Sequence, residues 1–361
     1  MNVLNGEPFI IYQLQSIYAH AHEIIIVEGA YLKFAFATNN GRSQDSTLQS
    51  IKNFPDPENK VKLIVKEGFY DDRMEMCNEF MHHVTGDIIW QIDADEFYHN
   101  YTHIYVRDLF RSDSELDLVS FNFIDLFGSL KLQTDGLEGT SLQDVRRVHR
   151  FSPGDLWINQ RPPILGNLQN EAKVLRKVIR GVEMERNGHL MFNLTMLFDK
   201  QIQDKFLYYQ SKDFTGPMTD WYEKSIRTFE NQFNMLNFEG HLTYLTELKA
   251  SLPEVCNEIE KECSEKTSYA FINDSEHLRK VREPAYMRAV STAYEINTLS
   301  QQNLGLMRLT YTICRISVNI FSNFEPSSRA FVFSVLSQKT LASYKRILGG
   351  WLKPSRLKFS N

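Results

Sequence analysis

The chain has 361 residues, of which 42% are hydrophobic, 12% aromatic and 24% charged, a globular composition that excludes wholesale disorder. That length exceeds what a single hydrophobic core usually serves, so one large domain with an appendage, or two domains, is expected. The formal net charge is −5, yet residues 301–361 hold nine Lys or Arg against one acid, Glu325, a local +8 that leaves −13 on the first 300 residues.

Glu7 to Ala19 places Phe9, Ile10, Leu14, Ile17 and Tyr18 at helical spacing and predicts an amphipathic helix. "EIIIVEGA" is a short β-branched run stopped at Gly29, the pattern of a strand buried on both faces. "SQDSTLQSIKNF" opens on capping residues and carries Leu48, Ile51 and Phe54, so a second helix follows, ended by "PDPEN". "KVKLIV" is the next strand. "DDRMEMCNEFMHHV" has acids in its first turn and Met74, Cys77, Met81 and Val84 along one side, as a helix requires. "DIIWQID" is then a strand, and it runs into Asp93, Asp95 and Glu96.

Strands alternating with helices predict a mostly parallel α/β sheet, in which ligands gather at the carboxyl ends of the strands. The segments after Val27, leading to Asp45, and at Asp93 to Glu96 are therefore expected to meet in one crevice. Beyond residue 100, "LDLVSFNFIDLFGSL" and "VRRVHRF" read as strands and "LFDKQIQDKFLYY" as a helix. From Thr215 to about Thr298 the text is charged and helix-like, with Cys256 and Cys263 a heptad apart as two core-facing positions.

Two carboxylates one residue apart at a strand end read either as a solvated turn or as ligands for a hard divalent cation, Mg²⁺ or Mn²⁺, whose remaining positions substrate phosphate oxygens would fill. Ser43, Asp45 and Thr47 alternate just before a helix and read as an N-cap or as part of a phosphate-facing loop.

Taken together, "NGEPFIIYQLQSIYAHAHEIIIVEGA", "NGRSQDSTLQSIKNF" and "KEGFYDDRMEMCNEFMHHVTGDIIWQIDADEF" resemble the nucleotide-sugar half of a GT-A glycosyltransferase of the family 2 type. The likeness covers residues 1 to about 100 and continues more faintly to about 210. It implies a catalytic domain over 1–214, after which the charged, helix-like text is expected to form a helical extension over 215–300 and the charge balance marks a basic amphipathic tail over 301–361. The reaction implied is transfer of a sugar, with inversion, from a nucleotide-diphosphate sugar to a saccharide or lipid-linked acceptor, as in the assembly of cell-envelope polysaccharide.

Residue by residue, the resemblance implies that Asp93 and Asp95 hold the Mn²⁺ or Mg²⁺ and the donor diphosphate. Glu28 and Asp45 would lie near the nucleoside, with Asn5 and Glu7 lining the same pocket. Arg73 would either meet the donor or pair with neighbouring acids. Similar enzymes complete the metal site with a downstream His; here those places read Gln160 and Asn193, and His189 is the remaining candidate. Asp125 is the candidate catalytic base, and Glu96 is a second catalytic carboxylate or the orienting partner of an arginine. The stretch "GAYLKFAFATNN" departs from the family pattern as an insertion after Glu28. Rival readings are a metal-dependent nucleotidyltransferase, which would want a Gly-rich basic loop near its start, and a non-catalytic nucleotide- or sugar-binding protein of the same fold.

Four scattered cysteines form no zinc or redox spacing, and no signal-peptide pattern opens the chain, so a reducing, cytoplasmic setting is expected. No apolar run reaches spanning length; Leu306 to Phe321 comes closest and is interrupted by Arg308 and Arg315. Such a helix packs on the domain or rests peripherally on an anionic membrane face. Basic residues are not interleaved with stacking aromatics, so no nucleic-acid partner is expected.

Overall fold

The computed structural model describes residues 1–136 and 144–210, then 235–236, 242–265, 269, 271, 278–279, 281–284 and 287. The chain divides into two compact units. One comprises Met1–Gln133, Ser141–Asp213 and Leu248–Ile272; the other comprises Thr134–Thr140, Phe214–Glu247 and Asn273–Asn361.

In the first unit the opening elements follow the sequence pattern closely. They are β1 (Asn2–Val3), α1 (Ile10–Tyr18), β2 (Ile24–Glu28), a 3₁₀ turn at Leu32–Ala37, α2 (Thr47–Asn53), β3 (Val61–Val65), α3 (Arg73–Glu79) and β4 (Ile88–Trp90). β1, β2 and β3 form a parallel sheet, with Val3 opposite Glu28 and Ile26 opposite Leu63. All five residues of β2 are buried, as its unbroken β-branched run requires. Ile10, Leu14 and Ile17 of α1 pack on Ile24 and Ile26, so one face of the helix closes this sheet.

The rest of the unit is mixed rather than mostly parallel. β5 (Glu96–Phe97), α4 (Asn100–Ser112), β6 (Leu116–Phe121), β7 (Phe123–Phe127), β8 (Leu132–Gly136), β9 (Val145–Arg150), β10 (Leu156–Gln160), β11 (Pro163–Gly166), β12 (Lys177–Ile179), α5 (Gly181–Arg186), β13 (Met191–Met196) and α6 (Asp199–Gln210) follow. One sheet runs β12-β6-β9-β4, with β9 antiparallel to both β6 and β4. A second includes β8-β7-β13-β5, with β13 parallel to β7 and antiparallel to β5.

The run read as one strand from Leu116 is therefore two, broken at Asn122. The break has a packing cause: the Asn122 side chain turns to donate to Glu185, and a Cβ at Gly181 would stand 2.4 Å from its Oδ1, so the N-terminus of α5 fits only there. β6 and β7 thereby enter different sheets, and antiparallel pairings such as β6–β9 and β7–β8 stand where a parallel sheet would need crossover connections. β4 likewise pairs with β9 and not with the parallel sheet.

α7 (Val255–Glu265) buries Cys256, Ile259 and Cys263 against Phe9, Phe198 and Leu126, so both cysteines are core positions and neither forms a disulfide, as their heptad spacing indicates. In the second unit, β14 (Met235–Leu236) pairs antiparallel with β15 (Leu242–Glu247), an extended stretch within a segment whose text reads as helical. Cys314 and the basic residues 301–361 lie outside the described residues. Among the described residues no helix is long and apolar enough to cross a membrane.

Candidate functional site

The loops leaving β1 and β2 meet at the carboxyl end of the parallel sheet, where side chains take up backbone N–H groups that no strand or helix satisfies. The Asn5 N–H donates to Ser43 Oγ at 2.8 Å, the Gly6 N–H to Thr47 Oγ1 at 2.7 Å and the Glu7 N–H to Asp45 Oδ2 at 3.2 Å. In the other direction Asn5 Oδ1 accepts from the Gln44 N–H at 2.8 Å, and buried Glu28 Oε1 accepts from the Ser43 N–H at 2.7 Å. Asp45 Oδ1 also takes the Thr47 N–H at 3.0 Å, and Ser50 donates to Glu7 Oε1. The second oxygen of Glu28 is buried and has no hydrogen-bond partner among the described residues. Asn5, Glu7, Glu28 and Asp45, named from separate motifs, thus belong to one network.

The inserted residues close over this network. Asn5 Nδ2 donates to Ala37 O at 2.9 Å, and Gly41, at φ +84°, approaches so near Gly68 that a Cβ would stand 1.9 Å from its carbonyl oxygen. Only glycine fits there, on both counts.

The Asp93–Glu96 turn borders the same crevice: a Cβ built on Gly6 would lie 3.6 Å from Ala94 Cβ. The turn is closed by its own ends, with the Glu96 N–H donating to Asp93 O at 3.2 Å and the Asp93 N–H to Glu96 Oε2 at 3.3 Å. Glu96 is buried and takes a two-pronged contact from Arg147 of β9, whose Nε donates at 2.9 Å; Arg147 Nη2 also stands 3.6 Å from Asp93 Oδ2. Burial pushes the Glu96 carboxyl up, to about 8; Arg147 pulls it down, while Asp93 and Asp95 add to the upward push. Burial would lower the guanidinium of Arg147, but Glu96 and Asp93 raise it above its ordinary value, so it stays charged. Glu96 is thus paired with Arg147, and the Asp93 side chain remains half-exposed.

Asp125 reaches the turn through β13. Asn193 sits opposite both Asp125 and Glu96 in the strand register, and its Nδ2 donates to Asp125 Oδ1 at 2.6 Å. Thr195 Oγ1 donates to Asp95 Oδ2 at 2.6 Å. Arg73, the first residue of α3, lies against the Cys77 thiol one turn on and forms no ion pair within 4 Å among the described residues. Burial pushes that thiol up.

His189 is held elsewhere. Its Nδ1 is 3.1 Å from Thr102 Oγ1 of α4, its ring stacks on Tyr105 at 4.1 Å, and burial lowers its pKa. Among the described residues no group of three or more His, Cys, Asp or Glu is arranged to hold a metal ion. Gln160 is buried and accepts from Gln91 Nε2 at 2.9 Å, two residues before Asp93. Sequence reasoning missed Arg147 and Thr195. The signal for Thr195 was alternation, since "NLT" within "MFNLTM" places Asn193 and Thr195 at every second position of a strand; "VRRVHR", with Arg146 and Arg147 adjacent, carries no such signal for Arg147.

No protein-family description and no curated protein matches the chain. Among solved structures it is similar to a crystal structure of S. aureus TarS 1-349, a glycosyltransferase, with a TM-score of 0.31 and 12% identity over 83% of this chain and 89% of that one. A likeness of that extent assigns neither fold family nor activity.

Proposed function

We propose that the protein is a glycosyltransferase that moves a sugar from a nucleotide-diphosphate sugar to a saccharide or lipid-linked acceptor. The observation that carries this reading is the meeting, at the carboxyl ends of parallel strands, of the Asn5–Glu7, Glu28–Ser43 and Asp45–Thr47 contacts with the Asp93–Glu96 turn. The nucleoside would lie over Asn5, Glu28 and Asp45, and the diphosphate toward Asp93 and Asp95 with Arg73 at hand.

Two hard carboxylates one residue apart, the first half-exposed, suit Mg²⁺ or Mn²⁺, which binds through one or two carboxylates when phosphate oxygens complete its shell. When bound, such a cation neutralises charge on the departing diphosphate. Arg147 and Glu96 brace the turn that presents the two carboxylates. Asp125 would take the proton of the attacking hydroxyl as the sugar moves, and the transfer would invert the anomeric carbon. His189, fixed on α4, is not assigned as a ligand in this reading.

The test is Mn²⁺-dependent binding and hydrolysis across a panel of nucleotide sugars, with wild type beside Asp95→Ala. Wild type should bind one of them, and the variant should lose about 10³-fold in turnover, the several kcal/mol that a positioned metal supplies. Binding and turnover indifferent to both metal and substitution would sink the reading; binding without turnover would favour a non-catalytic nucleotide-sugar receptor.

A further inference from the structure

From Phe192 to Met196 the side chains of β13 alternate in burial. Phe192, Leu194 and Met196 are buried in apolar surroundings, while Asn193 and Thr195 alternate with them onto the half-buried opposite face. The Leu194 N–H donates to Asp95 O at 2.8 Å, which fixes the motif's backbone to the same strand that borders β7. Across the polar face, three contacts follow in series. Asp95 Oδ2 is 2.6 Å from Thr195 Oγ1, Thr195 Oγ1 is 2.7 Å from Asn193 Oδ1, and Asn193 Nδ2 is 2.6 Å from Asp125 Oδ1.

We propose that Asn193 and Thr195 are positioning residues that hold the Asp125 carboxylate in fixed relation to Asp95, aligning the proton acceptor with the donor-binding turn through one hydrogen-bonded chain. The proposal rests on the glycosyl-transfer reading. A carboxylate turns freely about its last torsion unless a donor fixes one oxygen. Asn193 supplies that donor, so the other oxygen of Asp125 is set in direction. The amide must present N–H and not C=O to a carboxylate, and Thr195 decides which. A hydroxyl hydrogen aimed at Asn193 Oδ1 keeps the amino group turned toward Asp125.

The hydroxyl has one hydrogen and two acceptors at nearly equal distance, Asp95 Oδ2 and Asn193 Oδ1. A ligand group that engages Asp95 Oδ2 releases that hydrogen to Asn193 and firms its grip on Asp125. Filling the donor side thereby orients the base before the acceptor arrives.

The experiment uses the full chain and the nucleotide sugar that wild type binds best in a panel of uridine, guanosine, thymidine and cytidine diphosphate sugars, with hydrolysis to free nucleoside diphosphate as the readout and water as acceptor. Asn193→Ala and Thr195→Val should each lower kcat about 10- to 100-fold while the donor Kd moves less than about threefold, the pattern of a misplaced base and not of a damaged pocket. Thr195→Ser keeps the hydroxyl and should recover to within about threefold of wild type. In an Asp125→Asn background, Asn193→Ala should cost nothing further, since the group it positions is already gone. A merely structural role would lower the thermal midpoint and the fraction of donor-competent protein while leaving kcat per competent molecule unchanged, which overturns the proposal, as does additivity of the two substitutions. A wild-type chain that binds no nucleotide sugar, or binds without hydrolysis, fails the glycosyl-transfer reading and takes this proposal with it. Wild-type turnover matched by Asn193→Ala and Thr195→Val overturns the proposal alone.

Discussion

The two halves of the candidate site are built on different principles. At the end of the parallel sheet, side chains hold backbone: Ser43, Thr47, Asp45, Glu28 and Asn5 each accept a main-chain N–H from a loop that has no strand partner. On β7 and β13, side chains hold one another, from Asp95 through Thr195 and Asn193 to Asp125. The first arrangement fixes the shape of a pocket and leaves few free polar atoms. The second fixes the direction of reactive groups and leaves the pocket's shape to the strands. Substitutions in the first should therefore be felt in stability, and in the second in turnover.

The largest separation is expected from Asp125→Asn, which keeps the volume and removes the charge. It should lower turnover about 10²- to 10⁴-fold, the range of a lost general base, with donor affinity and thermal midpoint near those of wild type. An equal fall in donor affinity would mean that the two halves are not separable. Next in size is Thr47→Val, which leaves the buried Gly6 N–H without an acceptor. Its cost should be about 1–3 kcal/mol in chemical denaturation, with turnover per folded molecule unchanged.

The smallest effect per step is a dependence of stability on pH that touches neither half directly. His103 of α4 and His149 of β9 are buried, and burial lowers each to about 3. Arg146, Arg147 and Lys173 lower His149 further, and His20, stacked on His103 at 4.9 Å, does the same there. The unfolded chain protonates these imidazoles near their ordinary value while the folded chain does not, so below about pH 6.5 the unfolded state binds more protons. This histidine contribution is full above that pH and falls as the pH drops toward 3, by about 1.4 kcal/mol per residue for each unit. Glu96, pushed up to about 8, acts with the opposite sign between that value and its ordinary one and offsets about one of the two histidines there. Thermal midpoints measured at pH 6.5, 5.5 and 4.5 in one buffer system test this, and a midpoint that rises on acidification over that range would contradict it.

Periodicity made the first hundred residues legible because each element there is defined by its neighbours in sequence. β2 is a continuous β-branched run, α1 an amphipathic stripe, and both pack on elements within a few tens of residues. Asp93 and Asp95 were visible for the same reason, as charges at the end of a strand. The mixed sheets were harder to read. Asn122 breaks a run whose alternation continues on either side, and the cause is Gly181 and Glu185, some sixty residues away. Where alternation alone decides, as in "MFNLTM", sequence shows that Asn193 and Thr195 share a face but not what that face meets.

The sequence by itself determined the parallel sheet, the buried cysteines of α7 and the acidic turn, all of which follow from local period and from which residues tolerate burial. Only the tertiary structure decided the partners: that Glu96 belongs to Arg147, that His189 belongs to α4, and that Asn193 and Thr195 join Asp95 to Asp125. The physical reason is range. Backbone preference and apolar periodicity act over a turn or a strand, whereas a hydrogen bond between side chains is set by the register of strands that the chain brings together from far apart.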